Sequence, residues 1–171
     1  MLFSRKCHLN VSLKSFQYMG KIFLLTYSRY LSNKSGIKLS AAGKKDTCKF
    51  AKKIILELGE DIKNTMILAP TSPQEKETAE LLQNELGIKN LTIFDEDKLG
   101  VDVKKIIKKF GFTFKKSSKN MNTQNLIFVT ASSFIECTIL FEWDKYTGSF
   151  GPNTGVLIEN SHFTFFPEKI T

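Results

Sequence analysis

Residues 66–86 read MILAPTSPQEKETAELLQNEL, and this stretch decides the fold. Thr65–Ala69 is a short continuous apolar run, the pattern of a strand buried on both faces. Ser72-Pro73-Gln74-Glu75 follows at once. A hydroxyl residue at the cap, Pro at the first helical position and Glu three residues on predict a capping box. The helix it opens carries Thr78, Leu81, Leu82 and Leu86 on one face, and Gly87 is placed to end it. A buried strand turning tightly into an amphipathic helix is the building unit of a parallel sheet.

The same alternation extends in both directions. Lys21–Tyr27 (KIFLLTY) predicts a first buried strand, and Ser28–Lys38 a polar loop. Ser40 opens a helix in which Phe50, Ala51, Ile54, Ile55 and Leu58 recur at helical spacing. Leu91–Phe94 predicts a third strand, Val103–Phe110 a short helix and Lys115–Thr123 a polar loop. Leu126–Thr130 predicts a fourth strand, and Phe134–Trp143 a helix whose Phe134, Leu140, Phe141 and Trp143 belong in the core. Val156–Glu159 and His162–Phe166 predict two final strands joined at Asn160-Ser161. The expected architecture is a three-layer α/β/α sandwich with a largely parallel sheet. The apolar run 126–143 contains Glu136 and several hydroxyl residues and is too short to span a bilayer, so no transmembrane helix is expected.

Charge divides the chain. It carries 25 Lys and Arg against 17 Asp and Glu, yet residues 1–45 hold nine of the basic groups and no acid. The rest is close to neutral, which argues against a generally basic nucleic-acid binder. Residues 1–19 combine Arg5, Lys6 and Lys14 with Ser and scattered apolar residues. That composition suits a mitochondrial targeting segment. It is read as a retained extension, held by a neighbouring subunit, ahead of one domain over 20–171. Within the domain, residues 103–119 hold seven Lys and no acid. Lys104, Lys105, Lys108 and Lys109 fit a solvated helix face, or a docking patch for an acidic partner, an anionic lipid surface or RNA. Cys7, Cys48 and Cys137 are odd in number with no C-x-x-C pair. They read as packing thiols in a reducing compartment rather than as a disulfide scaffold or zinc site.

Four motifs, taken in order, resemble the histidine phosphatase, or phosphoglycerate-mutase-like, superfamily over about residues 20–166, and in length its compact phosphohistidine phosphatase branch. Lys21–Leu25 stands as the first strand. Leu39-Ser40-Ala41-Ala42-Gly43 resembles the family's Leu-Thr-x-x-Gly helix start. Residues 66–86 resemble its Ser-Pro…Thr-Ala-Glu helix, with Thr78-Ala79-Glu80 intact. Residues 126–135 (LIFVTASSFI) resemble its last motif, and 153–159 its closing strand. The resemblance implies a pocket in which one His is the nucleophile, two Arg and a second His hold the phosphate, and an acid protonates the leaving group. Fixed cationic donors are needed there because charge develops on the phosphoryl oxygens.

Carried over residue by residue, the resemblance puts Thr26 and Tyr27 at the first Arg and the nucleophilic His. Gln74 falls at the second Arg and Ala131 at the second His. The whole chain has two His, His8 and His162, and two Arg, Arg5 and Arg29. Lys can replace a phosphate-binding charge but not the nucleophile. Tyr27, with an ordinary phenol pKa near 10, is expected to fill the vacated space, and His162 to sit at a strand edge. Ser28, Arg29, Thr130 and Ser132 leave room for a weak anion site. The expectation is therefore a pseudoenzyme without cofactor or metal, serving as a structural accessory subunit of a mitochondrial complex of the respiratory-chain or ATP-synthase kind. Two alternatives stay open: a mitochondrial ribosome subunit touching RNA through 103–119, and a phosphatase or anion-binding module built around Tyr27 and Arg29.

Overall fold

The computed structural model describes residues 20–33, 36–95, 125–160 and 162–167. The extension 1–19, the helix expected over 103–110, the loop expected over 115–123 and the lysines of 103–119 lie outside the described residues.

Six strands form one sheet: β1 (Ile22–Thr26), β4 (Thr65–Pro70), β5 (Asn90–Phe94), β6 (Asn125–Thr130), β7 (Gly155–Glu159) and β8 (His162–Phe166). Their spatial order is β5-β4-β6-β1-β7-β8. The pairs β5/β4, β4/β6 and β6/β1 are parallel, and β7 runs against both β1 and β8. Two helices, α1 (Ala41–Leu58) and α2 (Pro73–Leu86), cover one face, and α3 (Ser132–Trp143) covers the other.

Strand pleating explains the two layers, because successive side chains point to opposite faces. Phe23, Leu25, Ile67, Ala69, Ile127 and Val129 pack with Phe50, Ile54, Ala79 and Leu82 of α1 and α2. Ile22, Leu24, Leu68, Leu126 and Phe128 pack with Ile135 and Ile139 of α3. Both faces are dry, which is why the strands read as unbroken apolar runs rather than as alternating ones. The three-layer, largely parallel sandwich expected from the sequence is the one observed. Among the described residues no helix is long and apolar enough to cross a membrane.

Some local expectations need correction. Part of the loop expected over Ser28–Lys38 is a separate antiparallel hairpin, β2 (Tyr30–Asn33) with β3 (Gly36–Leu39). Its polar composition hid it. What fixes the hairpin is tertiary: Leu39 is buried, and its N–H donates to Glu77 Oε2 of α2 at 2.6 Å. A 3₁₀ turn over Gly59–Asn64, unanticipated, links α1 to β4. Ser72 does precede α2, but its hydroxyl donates to the Glu75 carboxylate rather than capping the backbone, so the expected capping box does not form. Phe134 and Trp143 pack on the core as expected, whereas Leu140 is 43% exposed. Cys48 is half-buried, and Cys137 is exposed instead of packed.

Two glycines let the backbone come close. A Cβ on Gly43 would stand 2.1 Å from the Arg29 carbonyl oxygen. That oxygen accepts from the Ser40 N–H at 3.0 Å, and the Ser40 hydroxyl accepts from the Gly43 N–H at 2.9 Å. The Leu39–Gly43 motif is thus the joint between the first loop and α1. A Cβ on Gly155 would lie 1.9 Å from the Leu24 carbonyl oxygen, so β7 can pair with β1 only with glycine there. Gly155→Ala should therefore lower stability by about 3 kcal/mol in chemical denaturation. Gly151→Ala, which meets no atom within 4 Å, should stay within about 0.5 kcal/mol of the parent.

Candidate functional site at the carboxyl ends of the strands

β1, β4 and β6 end together, at Thr26, Pro70 and Thr130. β1 leads to α1 on one face, and its neighbour β6 leads to α3 on the other. Open α/β sheets form their ligand crevice outside such a switch point, since the two connections diverge there. Residues 27–29, 71–74, 131–133 and 150–154 gather around it. The structure therefore brings Thr26, Tyr27, Gln74 and Ala131 to one end of the sheet, as the motif order implied.

The polar groups of this crevice are occupied by one another. The Thr26 hydroxyl faces the carbonyls of Gly151 and Thr154 at 2.5 and 2.9 Å, and accepts from the Thr154 N–H. Ser28 is fully buried. Its hydroxyl donates to the Gly43 carbonyl at 2.8 Å and accepts from Asn153 Nδ2 at 2.7 Å. Its N–H donates to Thr78 Oγ1 at 3.1 Å, and Thr78 in turn donates to the Gln74 carbonyl at 2.7 Å. Thr47 donates to the Gly43 carbonyl at 2.9 Å. Asn153 closes the set: its N–H reaches the Tyr27 carbonyl at 3.4 Å from a left-handed backbone (φ 51°). Ser132 donates to Glu136 and accepts from the Phe150 N–H. Thr130 is buried beside Thr26 in the sheet.

This corrects the weak anion site expected from Ser28, Arg29, Thr130 and Ser132. Ser28 and Ser132 have spent their donors on protein acceptors, and Thr130 is enclosed. The Arg29 side chain is 63% exposed and pairs with Asp46 of α1 at 3.6 Å. His162 pairs with Glu159 at the far end of β7, beyond the Ile22 end of β1. It is exposed on an edge strand, a sheet length from the crevice. Arg5, Lys6, Lys14, Lys104, Lys105, Lys108 and Lys109 lie outside the described residues.

Tyr27 is half-buried, with its ring edge-on to Tyr30 at 5.7 Å. Burial, then the neighbouring Tyr30 and Glu75, push its phenol above the ordinary value of 10.0. A nucleophile needs the opposite shift. Glu75 is the one charged side chain that is buried among the described residues. It stands one turn before Thr78, which accepts from the Ser28 N–H, and it is near enough to Tyr27 to act on its phenol. Its place in the expected capping box concealed it as a site residue. Thr47, Thr78 and Asn153 were missed for another reason: their partners are remote in sequence, and no local pattern marks such contacts.

The sequence matches no family model and no curated protein. Solved structures do match. A SixA phosphohistidine phosphatase from Agrobacterium tumefaciens aligns at 13% identity, over 86% of this chain and 95% of that one, with a TM-score of 0.61. The protein histidine phosphatase SixA complexed with tungstate aligns at 12% identity over 85% and 93%, with a TM-score of 0.62. A phosphoglycerate mutase from Plasmodium falciparum aligns at 18% identity over 85% and 87%, with a TM-score of 0.51. The chain has the histidine phosphatase fold, in its compact SixA-like form.

Two measurements check the site. Ser28→Ala strands the Asn153 amide and should cost about 2 kcal/mol. In a double-mutant cycle with Asn153→Ala, the two losses should fall short of additivity by about 1 kcal/mol. The raised Tyr27 phenol favours the folded, protonated state. That contribution is complete below the unfolded value of 10.0 and is lost as pH rises above it toward the folded value. Ultraviolet titration should show one late phenol that Tyr27→Phe removes, and that variant should lose less stability above pH 10.

Proposed function

We propose that this chain is a catalytically inactive protein of histidine phosphatase fold. On this reading it is a structural accessory subunit of a mitochondrial multiprotein complex, of the respiratory-chain or ATP-synthase kind. The observation that carries it is the content of the crevice. Thr26, Tyr27, Gln74 and Ala131 occupy the positions where the family resemblance calls for two Arg and two His. Phosphoryl transfer through a histidine needs an imidazole at the phosphorus and cationic donors around the oxygens. Outside the extension, the chain's one His is His162 and its one Arg is Arg29. One lies at the opposite end of the sheet, and the other is turned out toward Asp46.

A fold kept after its reactive groups are gone is kept for its surface. The composition of residues 1–19 supports mitochondrial delivery, and the proposal gives that basic segment to a neighbouring subunit as its docking partner. The near-neutral remainder favours a protein assembly over an RNA-rich one.

Purified protein should show no turnover of p-nitrophenyl phosphate or phosphohistidine above a buffer blank. Turnover that Tyr27→Phe abolishes would overturn the inactive assignment. In mitochondria, tagged protein should co-purify with a defined set of subunits, and removing residues 1–19 after delivery by a substitute signal should release it. Ribosomal proteins in the purified set would reassign the complex and point to the lysines of 103–119.

A further inference from the structure

We propose that in the free chain the basic extension, residues 1–19, docks on its own domain, against the surface formed by the C-terminal end of α1 and the 3₁₀ turn that follows. The extension lies outside the described residues, whereas this surface and the point where the chain enters the domain are described. Lys21 fixes that point. Its Nζ donates to the Glu57 carbonyl at 3.1 Å and to the Glu57 carboxylate. Its N–H donates to Asn125 Oδ1 at 2.9 Å, and the Asn125 amide donates to the Asp61 carbonyl at 3.2 Å. The chain therefore enters the domain beside Glu57 and Asp61.

What stands there suits a basic segment with apolar side chains. In the last turn of α1, Leu56 is 85% exposed and Ile55 39% exposed. Glu60 and Asp61 are exposed in the first turn of the 3₁₀ segment. The last turn of α1 holds no basic residue, so the negative end of the helix dipole adds to these acids. Lys52 and Lys53 lie further back on α1 and Lys63 at the end of the 3₁₀ segment, which confines the acidic charge to residues 57–61. The extension is the complement: Arg5, Lys6 and Lys14 without any acid, and Leu, Val and Phe between them. The tether holds it at a local concentration on the order of millimolar, so contacts too weak for separate molecules suffice. A neighbouring subunit that takes the extension must first displace it from this surface. The inference concerns the chain alone and goes beyond the assembly role proposed above. Co-purification can fail while this contact holds, and the reverse.

The experiment places a nitroxide on Cys7 of the full chain, with Cys48→Ala and Cys137→Ser so that Cys7 is the single thiol, and reads amide broadening by NMR. A loose tether also visits this end of the domain, so the deciding comparison is with Leu56→Ser/Glu60→Gln/Asp61→Asn, three exposed positions whose substitution leaves the core intact. Broadening should be strongest at residues 55–61, and the triple variant should cut it by about half or more. In the unlabelled chain, trypsin should cleave after Lys14 about threefold faster in the triple variant, a readout that needs no cysteine replaced. Equal broadening in parent and triple variant, broadening centred elsewhere, or equal cleavage after Lys14 would each overturn the proposal.

Discussion

Ser28 spends its hydroxyl and its N–H inside the protein, and the chain meets on it from several directions. Its partners are Gly43 of α1, Thr78 of α2 and Asn153 of the segment before β7. Every one of these groups is buried, and an unpaired buried donor or acceptor costs more than a bond between them contributes. The network is therefore closed by necessity, and it fixes where the loop after β1 can run. A pocket for a phosphate dianion needs donors left open toward the ligand. Here the donors at the base of the crevice already have acceptors: the Thr26, Ser28, Thr47 and Thr78 hydroxyls face backbone carbonyls, and the Ser28 N–H and the Asn153 amide donate to hydroxyls.

The fold survives this because its stability lies elsewhere. Two apolar layers, one on each face of the sheet, are built from strand interiors and helix faces, with Tyr27 and Phe150 of the crevice packed against them. The residues at strand ends are free to change chemistry while the layers hold register. Agreement with the SixA structures at 12–13% identity over most of both chains is the expected consequence. Fold and site respond to different constraints, and a shared fold does not carry a shared activity.

What could be read from residues alone follows the range of the interaction. β1, β4 and β6 were legible because strands buried on both faces are continuously apolar, and α1 and α2 because their apolar spacing is helical. The positions of Thr26, Tyr27, Gln74 and Ala131 were legible through motif order, since each follows or precedes a recognisable element. The hairpin Tyr30–Leu39 was not, because its short strands are mostly exposed and its anchor is Glu77 on another element. The anion site failed for a related reason. Ser28 to Thr78 spans 50 residues and Asn153 to Ser28 spans 125, so nothing local says that these hydroxyls and amides satisfy each other. Glu75 was visible only as a helix-start residue, and its burial beside Tyr27 emerges from packing.

The central claim is that this crevice is a closed joint with a buried carboxylate and does not bind oxyanions. Tungstate, the ligand of one of the SixA structures, tests it directly. Thermal unfolding of the full chain should be unchanged by tungstate up to about 10 mM, beyond the shift produced by sulfate at equal ionic strength. A saturable rise in melting temperature with an apparent Kd tighter than about 1 mM, abolished by a substitution at Tyr27, would contradict it.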